Sequence, residues 1–288
     1  MELAVGAEPG ARHEPTDAHL RETLAAGISL LGVADGFGAP GRDSANAALA
    51  LASVRDYLRR RQRLGMLVGK ANSPSAVRTF LLHALEQANE RLFSASGSTD
   101  DFVAGGVSLT AALVAGHHVF IGHVGDSRAY VLRLGRLEAL TADDAIFTNA
   151  VASSKSSLPA KPALRGLLWR SLGTQSRLEA SIAHVELLPG DQLLLCTDGV
   201  HRAVFVDEIE SALTESDSAA EVASRLLLMT KVRGIADSAT VLVGRDLLTP
   251  EMPTADPHGG AALMARVWLI AALLSSIAAA SWFALHHL

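Results

Sequence analysis

The chain has a single cysteine, Cys196, so no internal disulfide can form. That cysteine lies inside an apolar run and reads as a buried core thiol, which suits a reducing compartment. Long basic runs are absent and the net charge is only −5, which argues against nucleic acid as the main partner. No group of Cys or His has metal-ligand spacing, and no internal repeat is visible. The first residues lack both a basic segment and a long apolar core, so no signal peptide is expected. What the sequence does hold is apolar side chains: 49% of its 288 residues are hydrophobic, enough for one large domain or two small ones.

Acids recur where apolar runs stop. Leu30-Leu-Gly-Val-Ala-Asp35-Gly36 and Leu193-Leu-Leu-Cys-Thr-Asp198-Gly199 both end in Asp-Gly. Val119-Phe-Ile-Gly-His-Val-Gly-Asp126 ends in a third acid, and Asp237 precedes Thr240-Val-Leu-Val243. Asp-Gly is a common turn dipeptide, so one instance means little. Four acids at the ends or edges of buried strands are another matter, because a buried carboxylate is costly without a positive partner. Hard divalent cations take oxygen ligands of this kind, a few carboxylates with a carbonyl and several waters.

The remaining pattern predicts alternating groups of helices and antiparallel strands. Apolar runs predict strands over 28–34, 107–114, 118–124, 128–134, 182–187, 192–197 and 240–243. Helices are predicted from Asp43 or Ser44, from Ser73-Pro74, over 207–213 and from Asp217 or Ser218 to Val232. Residues 1–20 read as mixed and polar, and 142–168 as a surface excursion. Arg59-Arg-Arg61 reads as a solvated helix end, Trp169 as core, and His117, His118 and His123 as structural. The order implies an α+β fold, with two antiparallel sheets packed together and covered by helices.

Near the C-terminus, 267–285 carries no charge and is long enough, at about 28 Å as a helix, to cross a bilayer. Trp268 and Trp282 sit near its ends as interfacial aromatics do, and Arg266 places the bulk of the protein in the cytoplasm. The expected division is a catalytic domain over 1–248, a Pro/Gly linker over 249–264 and one transmembrane anchor over 265–288.

Taken in order, the segments resemble the metal-dependent type 2C (PPM) serine/threonine protein phosphatases. Arg12-His-Glu-Pro-Thr-Asp17-Ala is similar to that family's Arg-x-x-Asn-Glu-Asp-Ala element, and Val33-Ala-Asp35-Gly36-Phe-Gly38 to its Val-Ala-Asp-Gly-Met-Gly. Gly106-Val-Ser-Leu-Thr resembles the Gly-Thr-Thr strand, and Val124-Gly-Asp126-Ser-Arg128 the Gly-Asp-Ser-Arg motif. Leu140-Thr-Ala-Asp143-Asp144, Arg170-Ser-Leu-Gly173, Thr197-Asp198-Gly199 and Asp237-Ser-Ala-Thr240-Val complete the ordered set.

The resemblance implies a four-layer α-β-β-α sandwich, with 142–168 as a variable flap beside the active site. It implies two, with a third weaker, Mn²⁺ or Mg²⁺ ions. Asp35 would bridge two metals, the Gly36 carbonyl would bind one of them, and Asp198 and Asp237 would complete the other site. Asp126 would hold the third metal, Arg12 would clamp the substrate phosphate, and Asp17 would orient metal-bound water. A metal-bridging hydroxide would attack phosphorus in line. The implied partners are phosphorylated proteins and a serine/threonine kinase counterpart, at the inner (cytoplasmic) membrane of a bacterium. The chain departs from the family pattern at Pro15, Thr16, Phe37, Asp144 and Ser238; Thr16 offers no carboxylate to the second metal. That departure motivates an alternative, a non-catalytic pseudophosphatase that binds a kinase or its substrate. A third reading is a regulatory phosphatase acting on anti-sigma-factor antagonists.

Overall fold

The computed structural model describes residues 1–11, 15–63, 65, 73–95, 105–145 and 168–247. The predicted linker and apolar tail lie outside the described residues, as do Arg12 and most of the predicted flap. Among the described residues no helix is long and apolar enough to cross a membrane.

Ten strands form two five-stranded antiparallel sheets. One runs β1 (Glu2–Glu8), β10 (Ala239–Arg245), β9 (Gln192–Cys196), β6 (Arg128–Arg133), β7 (Arg136–Ala139). The other runs β2 (Asp17–Ala25), β3 (Ile28–Phe37), β4 (Gly106–Ala115), β5 (His118–Val124), β8 (Ser181–Glu186). Helices α1 (Asp43–Arg63) and α2 (Pro74–Ala95) cover the second sheet. Helices α3 (Asp198–His201), α4 (Val206–Glu215) and α5 (Ala219–Val232) lie on the first. The expected α-β-β-α layering is therefore present.

The central strands are apolar on both faces because each face has a layer to meet. In β3, Leu31 and Val33 point between the sheets, against Leu193, Leu195 and Leu242, while Leu30 and Ala34 pack under α1 and α2. This period-of-two division explains why 28–34 reads as an unbroken apolar run.

Two predicted assignments are corrected. Residues 1–20, read as mixed and polar, hold strand β1 and the start of β2. Both are edge strands, half-buried along much of their length, so neither carries the apolar run that marks an interior strand. Trp169 is not core. Its side chain is 38% exposed, and the Arg170 guanidinium lies 4.0 Å above its ring.

Ile121 is buried between the sheets. Ile121→Ala is expected to lower the unfolding free energy by about 2–5 kcal/mol through lost burial and a residual cavity. Urea denaturation should show a lower midpoint with an unchanged slope.

Candidate metal centre

The acids meet at one end of the sandwich, where strands from both sheets run out. Asp35 lies near the end of β3, and the antiparallel register sets Asp17 of β2 directly opposite it. Asp198 follows β9 and opens α3, and Asp237 precedes β10. Asp126 follows β5. Asp35, Asp126, Asp198 and Asp237 line one cleft of about 190 Å³ with Thr16, Gly36 and Arg202. Asp17 stands behind it, joined to the cleft through Asp35. Thus every described site residue predicted from the sequence is brought to one place.

The glycines after Asp35 and Asp198 are fixed by close packing. A Cβ on Gly36 would stand 2.1 Å from the Asp43 carbonyl oxygen, and one on Gly199 would stand 2.0 Å from that of Ser238. Neither backbone contact can yield to a side chain, so both Asp-Gly pairs are obligatory here.

Hydroxyl groups pin the acids' supports. Thr197 Oγ1 accepts from the Thr240 N–H at 2.9 Å and donates to Asp17 Oδ2 at 2.7 Å. Ser238 Oγ accepts from the Thr16 N–H at 3.0 Å and donates to the Pro9 carbonyl at 3.3 Å. These bonds tie the start of β2, in one sheet, to β9 and β10 in the other. Ser238, a departure from the resembled pattern, is therefore a tie between the sheets. Ser108 Oγ accepts from the N–H groups of Asp126 and Ser127 at 3.0 and 2.8 Å, which fixes the turn that presents Asp126.

Two ion pairs brace the same end. Arg128 holds Asp143 with two nitrogens, each 2.8 Å from an oxygen, as a structural pair. Asp144 pairs with Arg170 at 2.5 Å, and its other oxygen accepts the Gly125 N–H at 3.0 Å. His123 is buried between Thr110 and the Ala142 carbonyl, so it is structural as expected.

The electrostatics are those of crowded carboxylates in a poorly hydrated place. Burial, then the charge of Asp126, pushes the Asp198 carboxyl up to about 8, against the pull of Arg202. Burial, then Asp198 and Asp17, raises Asp35 well above the usual carboxylate range. Burial also raises Asp17, against donors that include the Thr197 hydroxyl. Burial, then Arg128, lowers His201 to about 4; the neutral ring donates from Nε2 to the Asp126 carbonyl at 2.8 Å.

These residues fit a hard divalent cation. Every donor facing the cleft is oxygen, and Asp198 Oδ1 is buried without a hydrogen-bond partner. Among the described residues no three or more His, Cys, Asp or Glu side chains stand, as placed, so as to hold one metal ion by themselves. Such a donor set suits Mg²⁺ or Mn²⁺, which keep several waters, better than a caged structural zinc.

The model of the protein phosphatase 2C family matches residues 11–239. The chain belongs to the protein phosphatase 2C family. Among curated relatives, it is 30% identical over 229 residues to the serine/threonine protein phosphatase PstP of Mycobacterium tuberculosis. That match covers 78% of this chain and 42% of PstP, so the chain spans less than half the length of that relative. The serine/threonine phosphatase stp of Listeria monocytogenes is 31% identical over 175 residues, covering 59% of this chain and 69% of stp. Among solved structures, the PstP catalytic domain in complex with two manganese ions superposes with a TM-score of 0.68 at 26% identity. It covers 84% of this chain and 96% of that one. PppA of Pseudomonas aeruginosa, described as a key regulatory component of T6SS, gives 0.68 at 28% identity over 84% and 96% of the two chains.

Within this phosphatase 2C site, the sequence reading missed Arg202. The guanidinium lies 2.7 Å from Asp198 Oδ2, 2.9 Å from Asp126 Oδ2 and 3.6 Å from Asp237 Oδ2. The signal was the i,i+4 spacing from Asp198, which has meaning only if 198–202 is one helical turn. Thr197 was also missed, since its partners lie 43 and 180 residues away.

Because the folded-state carboxyls of Asp198 and Asp35 are raised, their protonated forms favour the metal-free fold. That contribution is full below about pH 4 and is lost as pH rises through the folded value. A divalent cation competes with the same protons. The rise in Tm on adding Mn²⁺ to chelator-treated protein is therefore expected to grow from about pH 6 to about pH 8. Differential scanning fluorimetry checks this, and an increment independent of pH would contradict it.

Proposed function

We propose that this chain is a metal-dependent protein serine/threonine phosphatase, hydrolysing phosphoserine and phosphothreonine in proteins. The observation that carries the reading is the convergence of Asp35, Asp198 and Asp237 with Gly36 in one oxygen-lined cleft, backed by Asp17. Asp35, the Gly36 carbonyl, Asp198 and Asp237 would hold two divalent cations. When bound, Mn²⁺ or Mg²⁺ supplies Lewis acidity at the phosphoryl group and lowers the pKa of water.

The chain's own residues do the rest. Asp35 lies in β3 and Asp198 just after β9, so packed strands limit where either carboxylate can stand. Asp17 accepts the Thr197 hydroxyl at Oδ2 and shares a hydrogen bond with Asp35. It is thereby placed to orient the ligand acid and to take up a proton. Arg12 is assigned the substrate phosphate, to which a guanidinium offers a planar pair of donors. No observation favours the non-catalytic module: Thr16 lines the cleft and donates weakly to Asp17 at 3.5 Å, while the carboxylates beside it are all in place.

We further propose the division read from the sequence: a catalytic domain over 1–248, a linker over 249–264 and a membrane anchor over 265–288, in a bacterial cytoplasmic membrane. Phosphoproteins made by a serine/threonine kinase are the proposed substrates. The uncharged stretch over 267–285, with Trp268 and Trp282 near its ends, supports the tether.

Hydrolysis of a phosphothreonine peptide by the full chain should require Mn²⁺ or Mg²⁺. Asp198→Asn should abolish it within detection. Thr197→Val should lower kcat/KM by about 10–100-fold, the usual effect of removing a partner of a metal-supporting group. Turnover by Asp198→Asn equal to that of the parent would refute the assignment. For the tether, the full chain is expected in the membrane fraction and to resist alkaline carbonate extraction. A chain ending at Asp256 should stay in the supernatant.

A further inference from the structure

Resting on the metal reading above, we infer that Arg202 is a resident cation of this site, and that Asp126 holds its guanidinium rather than a third metal ion. Arg202 is the C-cap of α3, and its backbone N–H donates to the Asp198 carbonyl at 2.9 Å. That single helical turn sends the side chain back along Asp198. Nη1 stands 2.7 Å from Asp198 Oδ2 and Nη2 stands 2.9 Å from Asp126 Oδ2, with Asp237 Oδ2 3.6 Å from Nη1. One planar group thus grips two carboxylates on separate nitrogens and approaches a third.

A divalent ion shared by Asp126 and Asp198 would need oxygen contacts of about 2.0–2.2 Å to both. The guanidinium already fills the gap between those oxygens. Even displaced slightly, it would remain a like charge beside the ion in a poorly hydrated cleft. The opposite edge of the site differs. Asp198 Oδ1 has no hydrogen-bond partner, and the charges pressing hardest on Asp35 are those of the acids Asp198 and Asp17. Asp198 therefore keeps one oxygen outside the grip of the guanidinium.

Asp126 is also held in a manner that suits a fixed ion pair. Its side chain is only 7% exposed, and its N–H and that of Ser127 converge on Ser108 Oγ. His201 donates to its carbonyl, so the acid is anchored through its backbone on two sides. A fixed single charge at this edge differs from a metal in one functional respect: it cannot be diluted away. It also lowers the negative charge of the cleft while leaving Asp198 Oδ1 without a hydrogen-bond partner. Arg202 is in this sense a positioning residue, acting through Asp126 and Asp198.

The test is the number of Mn²⁺ ions bound at saturation by the full chain, measured by native mass spectrometry and by electron paramagnetic resonance of the unbound ion. The parent protein and Arg202→Lys should bind two, because lysine retains the charge. Arg202→Ala should bind three, since it vacates the gap between Asp126 and Asp198. Adding Asp126→Asn to Arg202→Ala should return the count to two, which locates the extra ion. Retention of the other two ions reports that the variants are folded. Three ions in the parent protein, with one lost in Asp126→Asn, would overturn the inference while leaving the phosphatase reading intact. A count of two in Arg202→Ala would overturn it as well. No ion bound by the parent would refute the metal reading itself, and this inference with it.

Discussion

Mutual repulsion among buried carboxylates is the constraint to which the rest of this structure answers. Asp17, Asp35, Asp126 and Asp198 are gathered at one end of the sandwich, where burial alone raises the carboxyl pKa of each. Like charges at such separations are tolerated only if protons, cations or a guanidinium offset them. Arg202 meets part of this demand from within the chain, and divalent ions meet the remainder. The cluster is therefore a site prepared for positive charge at the expense of the metal-free fold, a common relation between function and stability.

Holding such a cluster requires supports that do not yield. The four layers provide them, because each sheet is buried on both faces and its central strands cannot shift register without exposing apolar side chains. Strand ends inherit that rigidity. Gly36 and Gly199 are seated against backbone carbonyls, so the two Asp-Gly turns have no freedom to open. Thr197 and Ser238 then bind the sheets to each other at the site itself. The cleft is thus built from both halves of the sandwich.

The outer ion pairs serve a different purpose from Arg202. Arg128–Asp143 and Arg170–Asp144 pair one acid with one base, and each satisfies groups on a neighbouring turn. Arg133 likewise closes on Asp191, which also accepts the Leu188 N–H. These pairs brace turns. Arg202 alone among the arginines described is shared by three acids of the cleft.

Much of this was legible in the chain. The unbroken apolar runs of β3, β4, β5 and β9 reflect burial on both faces, and the acids that end them carry the contrast that marks a site. Asp35, Asp198, Asp237 and Asp126 could be nominated because each breaks a local apolar pattern, which is a property of sequence. Strands β1 and β2 were not legible, because edge strands bury too little to show a period. Arg202 and Thr197 were missed for a related reason: their meaning lies in partners supplied by other elements. Sequence alone determined which residues are chemically out of place in an apolar core. Only the tertiary structure decided which acids face one another and which of them is held by an arginine. Charge interactions act through space, over distances that separation along the chain does not report.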